Sequence, residues 1–297
     1  MTDTQYIKEL PFADYLRNEA ISSTQVRAAM TSPLHFLAKR KGPSESTEAM
    51  QFGTMVHTMV IEPHKFDDEY IVFLHEGDKR KKSENGGCIE AWKAAKAELA
   101  ETGKLLVDKE QYDRLLCIRE SVLRHPIVQK MLAQKHIIEP TFVWHDGLMK
   151  AKCKARPDIL TESGIMADLK TTRDASPRGF GRSAATFGYD VQADHHGKGA
   201  LIAANAGLLK EDLPNFPTTL SNVIIAVESE ANVWNEEEGR MDHAVVVYEM
   251  APEDVASAGI AGLLAVREAL DAPDMTPAEV YGEGIQRLQL PEWRHNK

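Results

Sequence analysis

Apolar residues recur along the chain with two periods. Between 49 and 61, Phe52, Met55, Val56, Met59 and Val60 fall at i, i+3, i+4, i+7 and i+8, the spacing of one helix face, and Pro63 stops the run. Helical patterning also covers 11–41, where Ser22-Ser23-Thr24 offer an N-cap before 25–30. It returns at 88–101, at 108–134 with a break at His125-Pro126, at 189–209 and at 252–270. Apolar runs of strand length predict strands at 70–74, 137–144, 148–160, 164–171, 223–227 and 244–250. The Thr-Glu-Ser-Gly segment 161–164 is a turn, so 148–160 and 164–171 form a central hairpin. Residues 177–188, rich in Gly, Arg and Ser, read as a loop. An acidic loop with Glu236-Glu237-Glu238 joins the last two strands, and 271–297 is an irregular tail with a short helix. There is no repeat and no long Pro/Ser linker. The expected architecture is α/β, a mixed sheet flanked by helices.

The central hairpin carries the chemistry. Arg156-Pro157-Asp158 ends its first strand, and Asp168-Leu169-Lys170 lies on its second. Side chains alternate across a strand, so Asp168 and Lys170 share one face while Leu169 turns to the core with Ala167 and Ile165. The turn brings Asp158 beside Asp168. Two converging carboxylates with an ammonium next to them suit a hard divalent cation and a positioned water or phosphate oxygen. Upstream, Lys150, Lys152, Lys154 and Arg156 alternate with Met149, Ala151, Cys153 and Ala155. On one strand these cations form a strip that ends at Asp158, either a DNA-facing path or a solvated edge. His57, at the edge of the 49–61 stripe, reads either as a structural histidine or as a ligand. Glu139 reads either as a further ligand or as a surface acid. Lys79-Arg80-Lys81-Lys82 is a basic loop that contacts nucleic acid or is merely solvated.

Composition narrows the class. The chain has 297 residues, 43% of them apolar, enough for a sizeable core. No apolar run approaches a membrane span, and no secretory signal is visible at the N-terminus, so a cytoplasmic protein is expected. Cys88, Cys117 and Cys153 form neither a disulfide framework nor a zinc site, and they are too few for a four-cysteine iron–sulfur cluster. There is no P-loop. The 35 basic and 45 acidic residues leave a net charge of −10. Any contact with DNA is therefore confined to a local basic path, with acidity elsewhere limiting non-specific binding.

Pro-Asp, nine residues and then Asp-Leu-Lys resembles the PD-(D/E)xK nuclease motif, with Asp in place of the commoner Glu. Gly53-Thr54-Met55-Val56-His57, Glu139, the two aspartates, Lys170 and then Tyr189-x-x-Gln192 follow the motif order of RecB-family nucleases. More closely, the chain resembles the nuclease domain of the RecE (exonuclease VIII) family and its phage-encoded relatives. Ser32-Pro33-Leu34-His35-Phe36, Ile61-Glu62-Pro63, Asp168-Leu169-Lys170-Thr171-Thr172, Ala226-Val227-Glu228 and Leu290-Pro291-Glu292-Trp293 add to the match, which runs from about residue 20 to about residue 294. The resemblance implies a five-stranded restriction-endonuclease-like core at 49–270, a helical extension at 1–48 and a tail at 271–297. It implies Mg²⁺, or Mn²⁺, held by Asp158, Asp168, His57, Glu139 and the Leu169 carbonyl. Lys170 then positions or deprotonates water, and Gln192 and Tyr189 orient the strand. The implied activity is ATP-independent 5′→3′ digestion of one strand of linear duplex DNA to leave a 3′ overhang, by a homo-oligomeric ring working beside a RecT-like single-strand annealing protein. The alternatives are a structure-specific or nicking endonuclease and a non-catalytic DNA-binding protein. One departure stands out. The family shows Gln-x-x-x-Tyr, whereas Gln192 is followed by His196, which can still donate to a phosphate.

Overall fold

The computed structural model describes residues 4–42, 46–74, 86–99 and 101–282. The N-terminal part holds β1 (Gln5–Ile7), α1 (Phe12–Arg17), α2 (Ser23–Thr31) and α3 (Pro33–Lys41). Next come α4 (Glu48–Ile61), α5 (Phe66–Glu69), β2 (Tyr70–Phe73), α6 (Gly86–Leu99), β3 (Leu105–Asp108), α7 (Lys109–Arg124) and α8 (Pro126–Leu132). The strands β4 (His136–Ile138), β5 (Thr141–Asp146), β6 (Ala151–Ala155), β7 (Ile159–Thr161) and β8 (Ile165–Thr172) lead to α9 (Pro177–Phe187) and α10 (Tyr189–Asn205). The chain continues with β9 (Ser221–Asn235), β10 (Arg240–Glu249), α11 (Pro252–Asp271) and α12 (Pro277–Tyr281).

The main sheet has the order β10-β9-β8-β7-β4. It is antiparallel except for the parallel pair β8–β9. A three-stranded sheet β1-β5-β6 and a parallel pair β2–β3 complete the strands. Around β7, β8 and the first half of β9 the main sheet is buried on both faces, whereas residues 230–234 of β9 are exposed. Ile159, Ala167, Leu169, Ile225 and Val227 pack beneath α4 and α7, with Val56, Met59, Leu115 and Ile118. Leu160 and Met166 face the other way, into a cluster built from α2, α3, α10, α11 and the small sheet. Among the described residues no helix is long and apolar enough to cross a membrane.

Helix positions follow the sequence pattern closely, and three strand or loop expectations are corrected. The run 137–144 is two strands in two sheets, because Glu139 takes a left-handed backbone (φ 47) and Pro140 follows it. The run 148–160 likewise divides. β6 pairs with β5, β7 pairs with β8, and Pro157 lies in the link between them. The hairpin that brings the aspartates together is therefore β7–β8 alone. The expected loop 177–188 is a helix. Ser176 caps it by accepting from the Gly179 N–H, Pro177 fills its first turn, Phe180 anchors it, and Gly188 (φ 64) ends it where a side chain would also strike Arg27. Its glycines mask a strongly amphipathic pattern. The expected helical stretch 11–41 divides into α1, α2 and α3, and β3 lies where the sequence signals only the approach to α7. The basic loop Lys79–Lys82 and the motif 290–293 lie outside the described residues.

Candidate functional site

The register Ile159↔Ala167, continued by one residue, sets Asp158 opposite Asp168. The Leu169 N–H donates to Asp158 Oδ2 at 2.7 Å and locks the first carboxylate onto the strand bearing the second. Strand alternation then acts as expected. Leu169 goes into the core under α4 and α7, while Asp168 and Lys170 face α10. There Gln192 donates through Nε2 to Asp168 Oδ1 at 2.7 Å. Lys170 Nζ forms an ion pair with Asp168 Oδ2 and lies 5.0 Å from the centre of the Tyr189 ring.

His57 enters from α4. Gly53, one turn earlier, faces Thr171 of β8, where a methyl group would stand 3.4 Å from Thr171 Oγ1, an ordinary contact. His57 Nε2 is 3.1 Å from Asp158 Oδ1, and Nδ1 is 3.5 Å from Glu139 Oε1. The imidazole thus bridges two carboxylates. Glu139 reaches it from the β4–β5 link, whose backbone N–H donates to Asp158 O at 2.9 Å. His57, Glu139, Asp158, Asp168, Lys170, Tyr189 and Gln192 are all half-buried and form one cluster, of which Asp168, Lys170, Tyr189 and Gln192 line a cleft between β8 and α10.

The charges are strongly coupled. Burial disfavours a charged His57, but Asp158, then Glu139 and Asp168, reverse this and push the imidazole up to about 9. Burial pulls against Asp158 too. His57, Lys170 and the Leu169 N–H overcome it, so the carboxyl stays well below its usual range. Asp168 goes the other way, raised by burial and by the neighbouring Asp158 charge. Lys170 is held above its ordinary value because Asp168 and Asp158 outweigh its burial. His57 and Lys170, both favoured in their cationic forms, thus face the crowded carboxylates of Asp158 and Asp168. This donor set, mostly carboxylate oxygen with one imidazole, fits a hard divalent cation such as Mg²⁺ or Mn²⁺.

Glu62 was not singled out in the sequence. It follows α4 as its C-cap, and its carboxylate, His57 and Glu139 place ligand atoms within 4.8 Å of one another. Its five-residue spacing from His57, just before Pro63, was the available signal. The basic strip is corrected at two of its four residues. Lys154 and Arg156 are 5% and 8% exposed and face inward. Lys154 Nζ donates to Tyr15 O (2.7 Å) and Asn18 O (2.6 Å), and Arg156 Nε donates to Thr141 Oγ1 (2.9 Å). Of the strip only Lys150 and Lys152 are exposed, and Lys150 (φ 53) precedes the strand. His196 is 6% exposed and 3.5 Å from Ser23 Oγ, and it lines the cleft with Asp168, Lys170 and Gln192. Burial, with His195 adding, pushes its imidazole down to about 3, so it offers no charge to a phosphate.

Residues 22–235 match the family described as a PDDEXK-like domain of unknown function (DUF3799). No curated protein matches the chain. Among solved structures, a provisionally named exonuclease from Eubacterium rectale superposes with a TM-score of 0.52 at 13% identity, over 97% of this chain and 94% of that one. A phage-related exonuclease from Haemophilus somnus 129PT is 13% identical over 86% of this chain and 94% of that one, with a TM-score of 0.28, too low to establish a shared fold. With a match over most of its length, and a mixed five-stranded sheet that carries Asp158, Asp168 and Lys170 to one point, the chain belongs to this PDDEXK-like domain family.

Proposed function

We propose that the protein is a metal-dependent nuclease, an exodeoxyribonuclease acting on linear duplex DNA. The observation that carries this reading is the meeting of Asp158, Asp168 and Lys170 at one end of the β7–β8 hairpin, with His57 and Glu139 closing the cluster. Asp158, Asp168, His57, Glu139 and the Leu169 carbonyl are the donors for the cation. A bound divalent cation supplies Lewis acidity at the scissile phosphate. Lys170, held as an ammonium, donates to the attacking water or to a phosphate oxygen and orients it for in-line attack. Gln192 fixes Asp168 through its amide, and Tyr189 caps the lysine.

With Lys154 and Arg156 buried, the substrate path moves to the segment after Lys170. Arg173, Arg178 and Arg182 are exposed there, and none is in an ion pair with a described residue. We assign these arginines to the DNA backbone. The order of motifs supports a RecE-like 5′→3′ exonuclease, ATP-independent, ring-forming and paired with an annealing protein. The test is digestion of 5′- and 3′-end-labelled linear duplex and of closed circles, with Mg²⁺ and without ATP. Early release of the 5′ label with circles intact supports the reading. Nicking or linearisation of circles would replace it with an endonuclease, and inertness towards every DNA would replace it with a binding protein.

A further inference from the structure

The buried arginine of the former strip has a place in the site that a DNA contact does not explain. Arg156 Nε donates to Thr141 Oγ1, and Nη2 donates to Leu10 O. The guanidinium stacks against the Tyr15 ring, 4.9 Å from its centre. Nη1 is buried and makes no hydrogen bond, and it lies 3.6 Å from Glu139 Oε2. The other oxygen of that carboxylate, Oε1, faces His57. Glu139 is thus drawn at one oxygen toward Arg156 and at the other toward the cleft, on a left-handed backbone that itself bonds to Asp158. A non-glycine residue in that conformation persists only where its surroundings hold it there. A buried guanidinium is costly unless its charge is answered, and Glu139 is the carboxylate that answers it.

We propose that Arg156 is a positioning residue that aims Glu139 into the acidic site, and that the N-terminal segment from Leu10 to Tyr15 clamps it from behind. The proposal rests on the reading of the cluster as a metal centre. It gives the N-terminal extension a role in the site. The extension's backbone and rings hold the guanidinium, the guanidinium orients the glutamate, and the glutamate presents Oε1 beside His57. Groups behind a ligating carboxylate typically change metal affinity by about 10- to 100-fold when removed.

The test uses the full-length protein and Mn²⁺ alone, with bound and free ion measured by electron paramagnetic resonance and folding followed by thermal melting. Arg156→Met is expected to weaken Mn²⁺ binding by roughly 10- to 100-fold, and Arg156→Lys to recover part of the loss. Arg124→Met is the control. It removes a cation that pairs with Asp242, between α7 and β10, without touching Glu139 or the N-terminal segment, so its Mn²⁺ affinity should match the wild type. Unchanged affinity in Arg156→Met, or an equal loss in Arg124→Met, overturns the proposal. Should Arg156→Met fail to fold, Arg156→Lys decides alone. It keeps the charge and loses the fork, a several-fold loss is expected, and wild-type affinity overturns the proposal. Wild-type protein that takes up no Mn²⁺ defeats the metal-centre reading itself. Wild-type uptake with indifferent Arg156 variants defeats only the positioning role.

Discussion

Two adjoining segments carry charges at every second residue and end in opposite situations. At β7–β8, Asp158, Asp168 and Lys170 are half-buried and answered by His57 and Gln192, and Asp168 and Lys170 line a cleft. In β6 and the link after it, Lys154 and Arg156 are sealed beneath the N-terminal segment, with backbone carbonyls as partners. Parity assigns a shared face in both cases. What differs is what covers that face. The β8 face looks toward α10, whose residues frame a cleft, whereas the small sheet is roofed by residues 10–21. Alternation along a strand states which side chains go together, and tertiary packing decides whether they meet solvent.

The sharpest way to break this comparison is to neutralise one cation from each segment. Lys170→Met should lower cleavage by about 10²- to 10⁴-fold while duplex binding in Ca²⁺ persists, as measured by single-turnover digestion and fluorescence anisotropy. Lys154→Met should instead act first on stability and lower the cleavage rate per folded molecule far less.

His57 comes next. His57→Gln should shift the Mg²⁺ titration of activity upward by roughly 10- to 100-fold if the imidazole is a ligand. A structural histidine would show lost thermal stability with the metal dependence unchanged. Its pH behaviour adds a second reading. The folded value of about 9 exceeds the ordinary 6.5, so in EDTA its contribution to stability is complete below 6.5 and is lost as pH rises through 9. A wild-type melting temperature that falls across that window, with a smaller fall in His57→Gln, is the expected result. Because the bound proton competes with the cation, metal affinity should also rise with pH up to about 9.

Lys154→Met should destabilise the protein by about 2–3 kcal/mol in urea unfolding, since two carbonyls lose a charged donor. Lys150→Ala, on an exposed residue, should change stability little. The smallest effect is expected on the outer surface. Replacing Arg178 and Arg182 with serine should reduce the slope of log affinity against log salt by up to about 1.8, with folding unaffected. An unchanged slope would remove α9 from the substrate path.

Much of the site was legible because its chemistry is local. Asp158, Asp168 and Lys170 lie within thirteen residues and one hairpin, and α4 declares itself through its apolar stripe, so His57 could be placed. The five-stranded sheet followed from the family resemblance and is present. The burial of Lys154 and Arg156 was not legible, because it depends on contacts across more than 130 positions. Glu62 was missed because its turn into the cleft follows from a C-cap backbone, which apolar periodicity does not report. The helix at 177–187 was hidden by glycines, although Ser176-Pro177 was a cap signal in plain sight.

The central claim is that the β7–β8 cluster performs metal-dependent phosphodiester cleavage. Its most direct test is Asp168→Ala, assayed on linear duplex DNA in Mg²⁺ beside the wild type, with the melting temperature of each recorded in EDTA. The account predicts cleavage by the wild type, none by the variant, and a fold at least as stable, because removing one of two crowded carboxylates relieves their repulsion. Wild-type turnover by folded Asp168→Ala would contradict it.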